Sequence, residues 1–146
     1  FQFGDFSRLR NGWQVQKGKT TIAGVFRKLY AAAPGYEQLR LKALDPSKRY
    51  HFRNRTQELR IGQFGSLVKH VVPVNLNPNG PILRTADRHM TMHDGVQELT
   101  ASGAAMMNGV TLLPLFRGTG YHEHQRTLLD FGSEVYIVEE VSDDKT

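Results

Sequence analysis

The side chains of this 146-residue chain best suited to bind zinc are its six histidines, because the chain has no cysteine. His122 and His124 are two residues apart, so on a strand both would face one side and could hold zinc if a third ligand came from another strand. His89 and His93 would share a face in the same way. Neither pair has a third ligand that the sequence identifies, and we interpret both as solvent-facing histidines beside a turn or loop. No metal site is predicted.

The carboxylates provide no clearer catalytic centre. Glu123 and Asp130 could form an acid/base pair, but their spacing does not select them from the other acidic residues, and Asp130 precedes a turn that its side chain could cap. Gly18-Lys19-Thr20 resembles the end of a phosphate-binding loop, yet five residues separate Gly18 from Gly12 where four are required, and no helix follows. A hairpin turn at Gly18 and Lys19 that joins two strands is therefore the favoured interpretation. The chain also has no Gly-x-Ser-x-Gly motif. We predict no catalytic residue and no cofactor.

Aromatic side chains are the best candidates for contact with a sugar or with a neighbouring domain. Phe116 and Tyr121 enclose a Gly-containing loop that His122 follows, and Trp13, the single tryptophan, lies in a strand-like run. Residues of this kind on a loop or an open sheet face commonly bind ligands. We therefore predict Trp13, Phe116, Tyr121 and His122 as possible sugar or interdomain contacts.

A second aromatic group alternates with basic residues, as Tyr50, His51, Phe52 and Arg53. Such a pattern could form a stacking platform for single-stranded nucleic acid. However, Tyr50 and Phe52 fall on the same face as the apolar pairs of neighbouring runs. Core packing is therefore the favoured interpretation.

Strands must position these residues, because apolar side chains recur at every second position and no long stretch keeps a helical period. The runs are 13–17, 20–30, 37–42, 48–54, 58–61, 89–93, 96–101 and 134–140. In 37–42 the alternation places Leu39 and Leu41 on one face. Strands of this number, with turn signals roughly every 8–12 residues, predict an antiparallel β-sandwich of about eight strands with Greek-key-like connections. A closed barrel is the alternative.

Turn signals separate the runs. Asp45-Pro46-Ser47 predicts a tight turn in which the aspartate bonds the backbone beyond it. Asp94-Gly95 is the strongest local hairpin signal, and it predicts that 89–93 pairs with 96–101. Segment 71–83 contains three prolines, which predict an edge strand or a draped loop. No linker or repeat divides the chain, so we predict one domain over 1–146 with a flexible tail at 141–146.

The net charge of +5 arises from scattered lysines and arginines, densest over 48–60, while 139–144 is acidic. Scattered basic residues are typical of a solvated surface, so no nucleic-acid partner is predicted. No window is apolar enough to span a membrane, and no signal peptide is visible. The lack of cysteine fits a reducing cytoplasm. Because the first residues, from Phe1, resemble the interior of a polypeptide, we expect a fragment of a larger protein.

A series of short motifs runs through the chain in a fixed order. They are Gly4-Asp5-Phe6-Ser7-Arg8-Leu9, Trp13-Gln14-Val15, Gly24-Val25-Phe26, Leu39-Arg40-Leu41-Lys42-Ala43-Leu44-Asp45-Pro46, residues 102–110, Leu113-Pro114, Gly118-Thr119-Gly120-Tyr121 and Asp130-Phe131-Gly132-Ser133. In this order they resemble the C-terminal domain of glycoside hydrolase family 36 α-galactosidases, in the form found in lactic acid bacteria. Two positions depart from the family pattern. Ser7 replaces a tyrosine, and Ala43 replaces the common glycine, which predicts a tighter backbone turn there.

The resemblance implies an antiparallel β-sandwich without catalytic residues. In the family, a nucleophilic and an acid/base aspartate lie in an upstream (β/α)8 barrel and act by a retaining mechanism. No position of this chain matches either motif. The resemblance therefore implies an accessory domain that packs against the catalytic barrel of the same polypeptide and stabilises it. The enzyme would act on α-galactosides such as raffinose and melibiose, in the bacterial cytoplasm, as a homo-oligomer that is often a tetramer. The alternative is a carbohydrate-binding module.

Overall fold

The computed structural model describes residues 1–4, 10–29, 37–60, 80–93, 95–113 and 131–142. The strands in these ranges are β1 (Gln2–Gly4), β2 (Arg10–Lys17), β3 (Thr20–Arg27), β4 (Gln38–Leu39), β5 (Arg49–Asn54), β6 (Glu58–Arg60), β7 (Thr91–His93), β8 (Glu98–Ser102), β9 (Val110–Thr111) and β10 (Ser133–Glu140). The helices are α1 (Pro81–His89) and α2 (Gly103–Asn108). Among these described ranges, no helix is long and apolar enough to cross a membrane.

Six strands form one sheet, the main sheet, in the order β1-β2-β3-β10-β5-β8. Strands β4 and β9 form a second, small sheet, and β6 pairs with β7. Every described pairing is antiparallel. The last strand, β10, inserts between β3 and β5, which is the kind of long return connection that Greek-key folds contain. The prediction of an all-β antiparallel fold is confirmed.

The hydrophobic core lies between the main sheet and a second layer formed by the small sheet, α2 and the segments that follow β4 and β9. The main sheet contributes Ala23, Val25, Tyr50, Phe52, Tyr136 and Val138, and the second layer contributes Leu39, Leu41, Leu44, Met106, Val110 and Leu112. Two layers around one core are the arrangement of a β-sandwich. The predicted inward positions of Leu39, Leu41, Tyr50 and Phe52 are confirmed.

Strands β5 and β6 run along β8 and β7 as one long antiparallel ribbon. Arg53 pairs with Glu98, and Glu58 pairs with His93, so the register is the same on both sides of the gap between the two strand pairs. Gly95 lies within this ribbon, and 89–93 does not pair with 96–101. The predicted Asp94-Gly95 hairpin is therefore wrong, because the long-range pairing that buries Phe52 outweighs the local turn signal.

The side chain of Asn54 links the two halves of this ribbon at the point where regular strand pairing stops. The Asn54 side chain accepts a hydrogen bond from the Gln97 N–H at 2.6 Å and donates to the Gly95 carbonyl at 3.1 Å. Asn54 is buried, so these bonds satisfy polar groups that water cannot reach. The register therefore passes unchanged from β5 to β6.

Helix α1 corrects two further predictions. It covers Pro81–His89, where an edge strand or loop was predicted up to Leu83 and a strand was predicted from His89. Proline is well tolerated in the first helical turn, because the N–H it lacks would have no partner there. Arg88 and His89 lie in the last turn, where positively charged side chains interact favourably with the helix dipole. The strand that follows begins at Thr91.

The two turns that orient the core strands are as predicted. Gly18 and Lys19 form a two-residue loop between β2 and β3, and of the two residues Gly18 has a positive φ, of 59°. A positive φ at the first central position is what a type II′ turn requires. At the other turn, the Ser47 N–H and hydroxyl donate to Asp45 Oδ1 at 3.0 and 2.6 Å.

Two buried glutamines join the layers of the sandwich. Gln14 accepts from the Lys42 N–H at 2.9 Å and donates to the carbonyl of the same residue at 2.6 Å. Gln97 donates to the Thr111 carbonyl at 2.7 Å and accepts from the Leu113 N–H at 3.0 Å. Each side-chain amide makes the hydrogen bonds that a neighbouring strand would make. The backbone N–H and carbonyl groups are therefore satisfied at positions where the regular strand pairing does not continue.

The predicted tail begins close to the sheet. The Val141 N–H donates to the Arg49 carbonyl at 2.9 Å, while 143–146 lie outside the described residues. Flexibility of this tail, and the assignment of 1–146 as one domain, stay predictions.

Candidate functional site

The outer face of the main sheet, which points away from the core, is apolar across β2, β3 and β10. Its side chains are Trp13, Val15, Ile22, Phe26, Val135 and Ile137, here called the apolar face. Trp13 and Phe26 are each 38% exposed, and Val15 is 56% exposed. Val15 lies opposite Ile22, which lies opposite Ile137, so these side chains form a row across three strands. Contiguous apolar surface of this kind commonly marks an interaction site.

A glycine positions the aromatic end of the apolar face. Gly24 is the cross-strand partner of Trp13, and a Cβ atom at Gly24 would lie 2.8 Å from the indole Cε2. The indole thus uses space that any side chain at this position would need. The Trp13 and Phe26 ring centroids are 6.4 Å apart, with 35° between the ring planes. Two adjacent, partly exposed rings can contact either an apolar protein surface or the face of a sugar ring.

The same outer face becomes charged toward β5 and β8. Arg53 Nη2 lies 3.6 Å from Glu139 Oε2, and His51 Nε2 lies 2.6 Å from Glu98 Oε1. Each pair joins neighbouring strands of the main sheet. This half of the face therefore presents acidic and basic groups that compensate one another.

The basic stretch and the acidic C-terminal stretch meet through the β5–β10 pairing. The Lys48 ammonium donates to both carboxylate oxygens of Glu140, at 3.0 and 2.9 Å, and Lys19 Nζ lies 3.8 Å from the same carboxylate. Hydrogen bonding to Glu140 raises the pKa of Lys48 above its usual value. Part of the positive charge that the sequence concentrates over 48–60 is thereby compensated within the domain, which weakens a polyanion-binding interpretation.

An ionic cluster joins β2 and β3 to the residue that precedes β4. The Arg27 guanidinium donates to Glu37, and Arg10 Nη1 lies 3.5 Å from the other oxygen of that carboxylate. Arg27 is only 5% exposed. A carboxylate that contacts two guanidinium groups bridges the segments that carry them, which is a structural arrangement rather than that of a catalytic acid.

The structure describes one of the four predicted contact residues. Trp13 lies on the apolar face, whereas Phe116, Tyr121 and His122 lie outside the described residues. The same holds for His124, Glu123 and Asp130.

The predicted face shared by His89 and His93 is wrong, because the first residue ends α1 and the second ends β7. In the part of the chain that the structure describes, no group of three or more His, Cys, Asp or Glu residues could hold a metal ion.

The alternating aromatic and basic group is divided between the two faces of β5. Phe52 is fully buried and stacks on Tyr136, with ring centroids 5.0 Å apart. Tyr50 is also buried, and its hydroxyl accepts from the Asp45 N–H at 3.0 Å. Neither ring is accessible to a nucleic-acid base, so the core interpretation is confirmed.

Sequence reasoning found Trp13 but missed the rest of the apolar face. The missed signal is the lack of alternation in β3 and β10, where Ile22 to Phe26 and Val135 to Val138 are continuously apolar. A half-exposed strand alternates apolar with polar residues, whereas a strand covered on both faces reads as a continuous apolar run. These two runs therefore indicate a sheet that needs cover on its outer face as well.

The fold and this surface define an all-β sandwich domain with one large face left partly uncovered. A family model described as the glycosyl hydrolase family 36 C-terminal domain matches residues 12–138. The match covers most of the chain, and the chain belongs to this family. No curated protein and no solved structure gives a match.

Proposed function

We propose that this chain is the non-catalytic C-terminal accessory domain of an α-galactosidase. The parent enzyme is a retaining glycoside hydrolase that acts on α-galactosides such as raffinose and melibiose. The domain packs against the (β/α)8 catalytic barrel that precedes it in the same polypeptide and stabilises that barrel. The catalytic nucleophile and the catalytic acid/base belong to the barrel.

The observation that carries this proposal is the apolar face on a domain of this family. Val15, Trp13 and Phe26 leave apolar surface open to solvent in the isolated chain, and covering such surface is favourable by roughly 25 cal/mol per Å². The described carboxylates Glu37 and Glu140 each contact a basic partner. These contacts favour structural roles for the acidic residues.

The test compares three proteins: the full-length enzyme, the enzyme truncated before Phe1, and the chain 1–146 alone. We expect the full-length enzyme to hydrolyse p-nitrophenyl α-galactoside, and the chain alone to release no nitrophenol even at 100-fold molar excess. A cooperative thermal transition by circular dichroism shows that the chain alone is folded in this assay. We expect the truncated enzyme to unfold at a lower temperature than the full-length enzyme. Turnover by the folded chain alone, or an unchanged midpoint after truncation, would overturn the proposal.

A carbohydrate-binding module is the second candidate, and the Trp13–Phe26 pair favours it. Because Trp13 is the single tryptophan of the chain, its fluorescence reports directly on a ligand at this surface. Binding predicts a saturable fluorescence change on titration with galactose or raffinose at millimolar concentration, abolished in Phe26→Ala. A flat titration, in both fluorescence and calorimetry, counts against sugar binding and leaves the accessory role.

We further propose that the parent enzyme is a homo-oligomer of the bacterial cytoplasm. The family resemblance supports the oligomer, and the lack of cysteine supports a reducing compartment. Sedimentation analysis of the full-length enzyme and fractionation of the producing cells test the two statements separately. A monomer contradicts the first, and recovery in the medium contradicts the second.

A further inference from the structure

We infer that the apolar face is the surface through which this domain packs against the catalytic barrel, an inference that rests on the function proposed above. The small sheet and α2 already cover the inner face of the main sheet. The outer face over β2, β3 and β10 carries apolar side chains of the size found in cores. It therefore has the composition of a second buried face, with its covering layer supplied from outside this domain.

The path of the chain at Phe1 supports the barrel as the occupant. The Phe1 carbonyl accepts from the Gln14 N–H at 2.7 Å, and the Phe1 amino group donates to the Gln14 carbonyl at 2.8 Å. These bonds extend the register in which Gln2 lies opposite Trp13. A preceding residue that continued β1 would lie opposite Val15, the most exposed residue of the apolar face. A polypeptide that arrives from a preceding domain thus reaches this domain at the border of that face.

The charges around the apolar face support an apolar protein surface as the partner. Arg53 and Glu139 neutralise one another, and so do His51 and Glu98 when the imidazole is protonated. A partner that covers the apolar face therefore does not have to supply charges that compensate these neighbouring residues. A polyanion, by contrast, requires unpaired cationic groups in its contact surface. The geometry favours contact through Trp13, Val15 and Phe26, with the charged half at the margin of the interface.

The experiment places a charge at the centre of the proposed interface in the full-length enzyme. Val15→Glu buries an unpaired carboxylate if the face is covered, and that is strongly unfavourable. Val96→Glu is the matched control, because Val96 is 54% exposed against 56% for Val15 and lies just before β8, at the opposite edge of the main sheet. Phe26→Glu is an independent second variant on the apolar face.

We expect Val15→Glu and Phe26→Glu to lower the unfolding midpoint of the full-length enzyme by about 4 °C or more. We also expect proteolytic cleavage at the junction before Phe1 to accelerate about tenfold as the domains separate. Val96→Glu should match the unmodified enzyme in both measurements. Amide exchange in β3 and β10, measured in the same proteins, shows whether the domain itself remains folded in each variant.

The outcomes separate this inference from the proposed function. If truncation before Phe1 destabilises the barrel while Val15→Glu and Phe26→Glu behave like Val96→Glu, the accessory function stands and the docking face is overturned. If both variants reduce the oligomeric state while the junction stays protected from protease, the face belongs to a second copy of the chain, and the inference is also overturned. If truncation leaves the barrel unchanged, the proposed function itself fails.

Discussion

The indole of Trp13 lies across Gly24, its partner in the β2–β3 pair. It occupies space that the side chain of any other residue at position 24 would need. A Cβ atom there would lie 2.8 Å from the indole Cε2. Because the indole is partly exposed, it can move outward when a methyl group is introduced. We therefore expect Gly24→Ala to preserve the fold, to cost about 1 kcal/mol, and to increase acrylamide quenching of Trp13 fluorescence.

A double-mutant cycle tests whether this contact is the cause. In a Trp13→Ala background the steric conflict is absent, and alanine is better tolerated in a strand interior than glycine. Gly24→Ala should then be neutral or stabilising in urea unfolding. Equal destabilisation in both backgrounds would show that the indole does not set the requirement for glycine.

Ala43 adopts a left-handed backbone conformation, with φ of 56°, at the position where the family commonly has glycine. A residue with a Cβ atom pays roughly 1–2 kcal/mol in this region, and glycine does not. We expect Ala43→Gly to raise the free energy of unfolding by about 1 kcal/mol, net of the greater chain entropy of glycine in the unfolded state.

The matched control for this variant is Ala104→Gly, because Ala104 is also an exposed alanine but lies in helix α2. Helical alanine has an ordinary φ, so glycine should destabilise the protein there. Urea unfolding of both variants provides the comparison. A loss of stability in Ala43→Gly would contradict a strained turn.

The side-chain amide of Gln14 hydrogen-bonds to both the N–H and the carbonyl of Lys42. It thus makes the two backbone hydrogen bonds that a neighbouring strand would otherwise make. Gln14→Leu leaves two backbone groups without these partners at a buried site, at a cost of about 2–4 kcal/mol. Gln16→Leu, on the same strand but exposed, should change stability by less than about 0.5 kcal/mol. Similar urea midpoints for the two variants would show that the hydrogen bonds of Gln14 do not stabilise the contact between the two layers.

A carboxylate introduced at position 14 should make the stability of the protein depend on pH. Gln14→Glu loses the amide donor, and an ionised carboxylate would face the Lys42 carbonyl. Burial and this contact raise the pKa of the introduced carboxyl above roughly 4.3, its value in the unfolded chain. Its protonated form can donate to the carbonyl, so the variant should approach the stability of the unmodified protein near pH 4 and lose stability as the pH rises to 7. A pH-independent difference between the two proteins would disprove this.

Two exposed groups predict where the stability of the unmodified domain depends on pH. Hydrogen bonds from the Ser47 side chain and backbone lower the pKa of Asp45, so its contribution is present above about pH 4 and is lost as the pH falls through the lowered value. The bond to Glu140 raises the pKa of Lys48. That contribution is present below about pH 10 and is lost as the pH rises through the raised value.

Removal of either group should remove the corresponding dependence. In Asp45→Asn the decline in the urea midpoint below pH 4 should be shallower than in the unmodified protein. In Lys48→Met the decline above pH 10 should be shallower. Each variant is the control for the other, because Asp45 and Lys48 contribute less to each other's pKa shift than their hydrogen-bond partners Ser47 and Glu140 do. Parallel pH profiles for all three proteins would contradict the assignment.

Local pattern was sufficient for the core-facing positions of two segments, 37–42 and 48–54. Leu39 and Leu41, and likewise Tyr50 and Phe52, were correctly placed because alternation with period two assigns side chains to faces without knowledge of the strand partner. The turn at Asp45 was predictable as well, since its hydrogen bonds reach only two residues along the chain. The apolar face was not predicted as a unit, although its sequence signal was present.

The sequence by itself determined the all-β class, the inward positions in 37–42 and 48–54, the turns at Gly18 and Asp45, and the family. Only the tertiary structure decided that β5–β6 and β8–β7 form one ribbon, that Pro81 begins a helix, and that Trp13, Val15 and Phe26 share an uncovered sheet face. The reason is physical. Face parity and turn geometry depend on neighbouring residues, whereas strand pairing depends on which distant segments bury the most apolar surface together. In this chain, that competition overrode the Asp94-Gly95 turn signal.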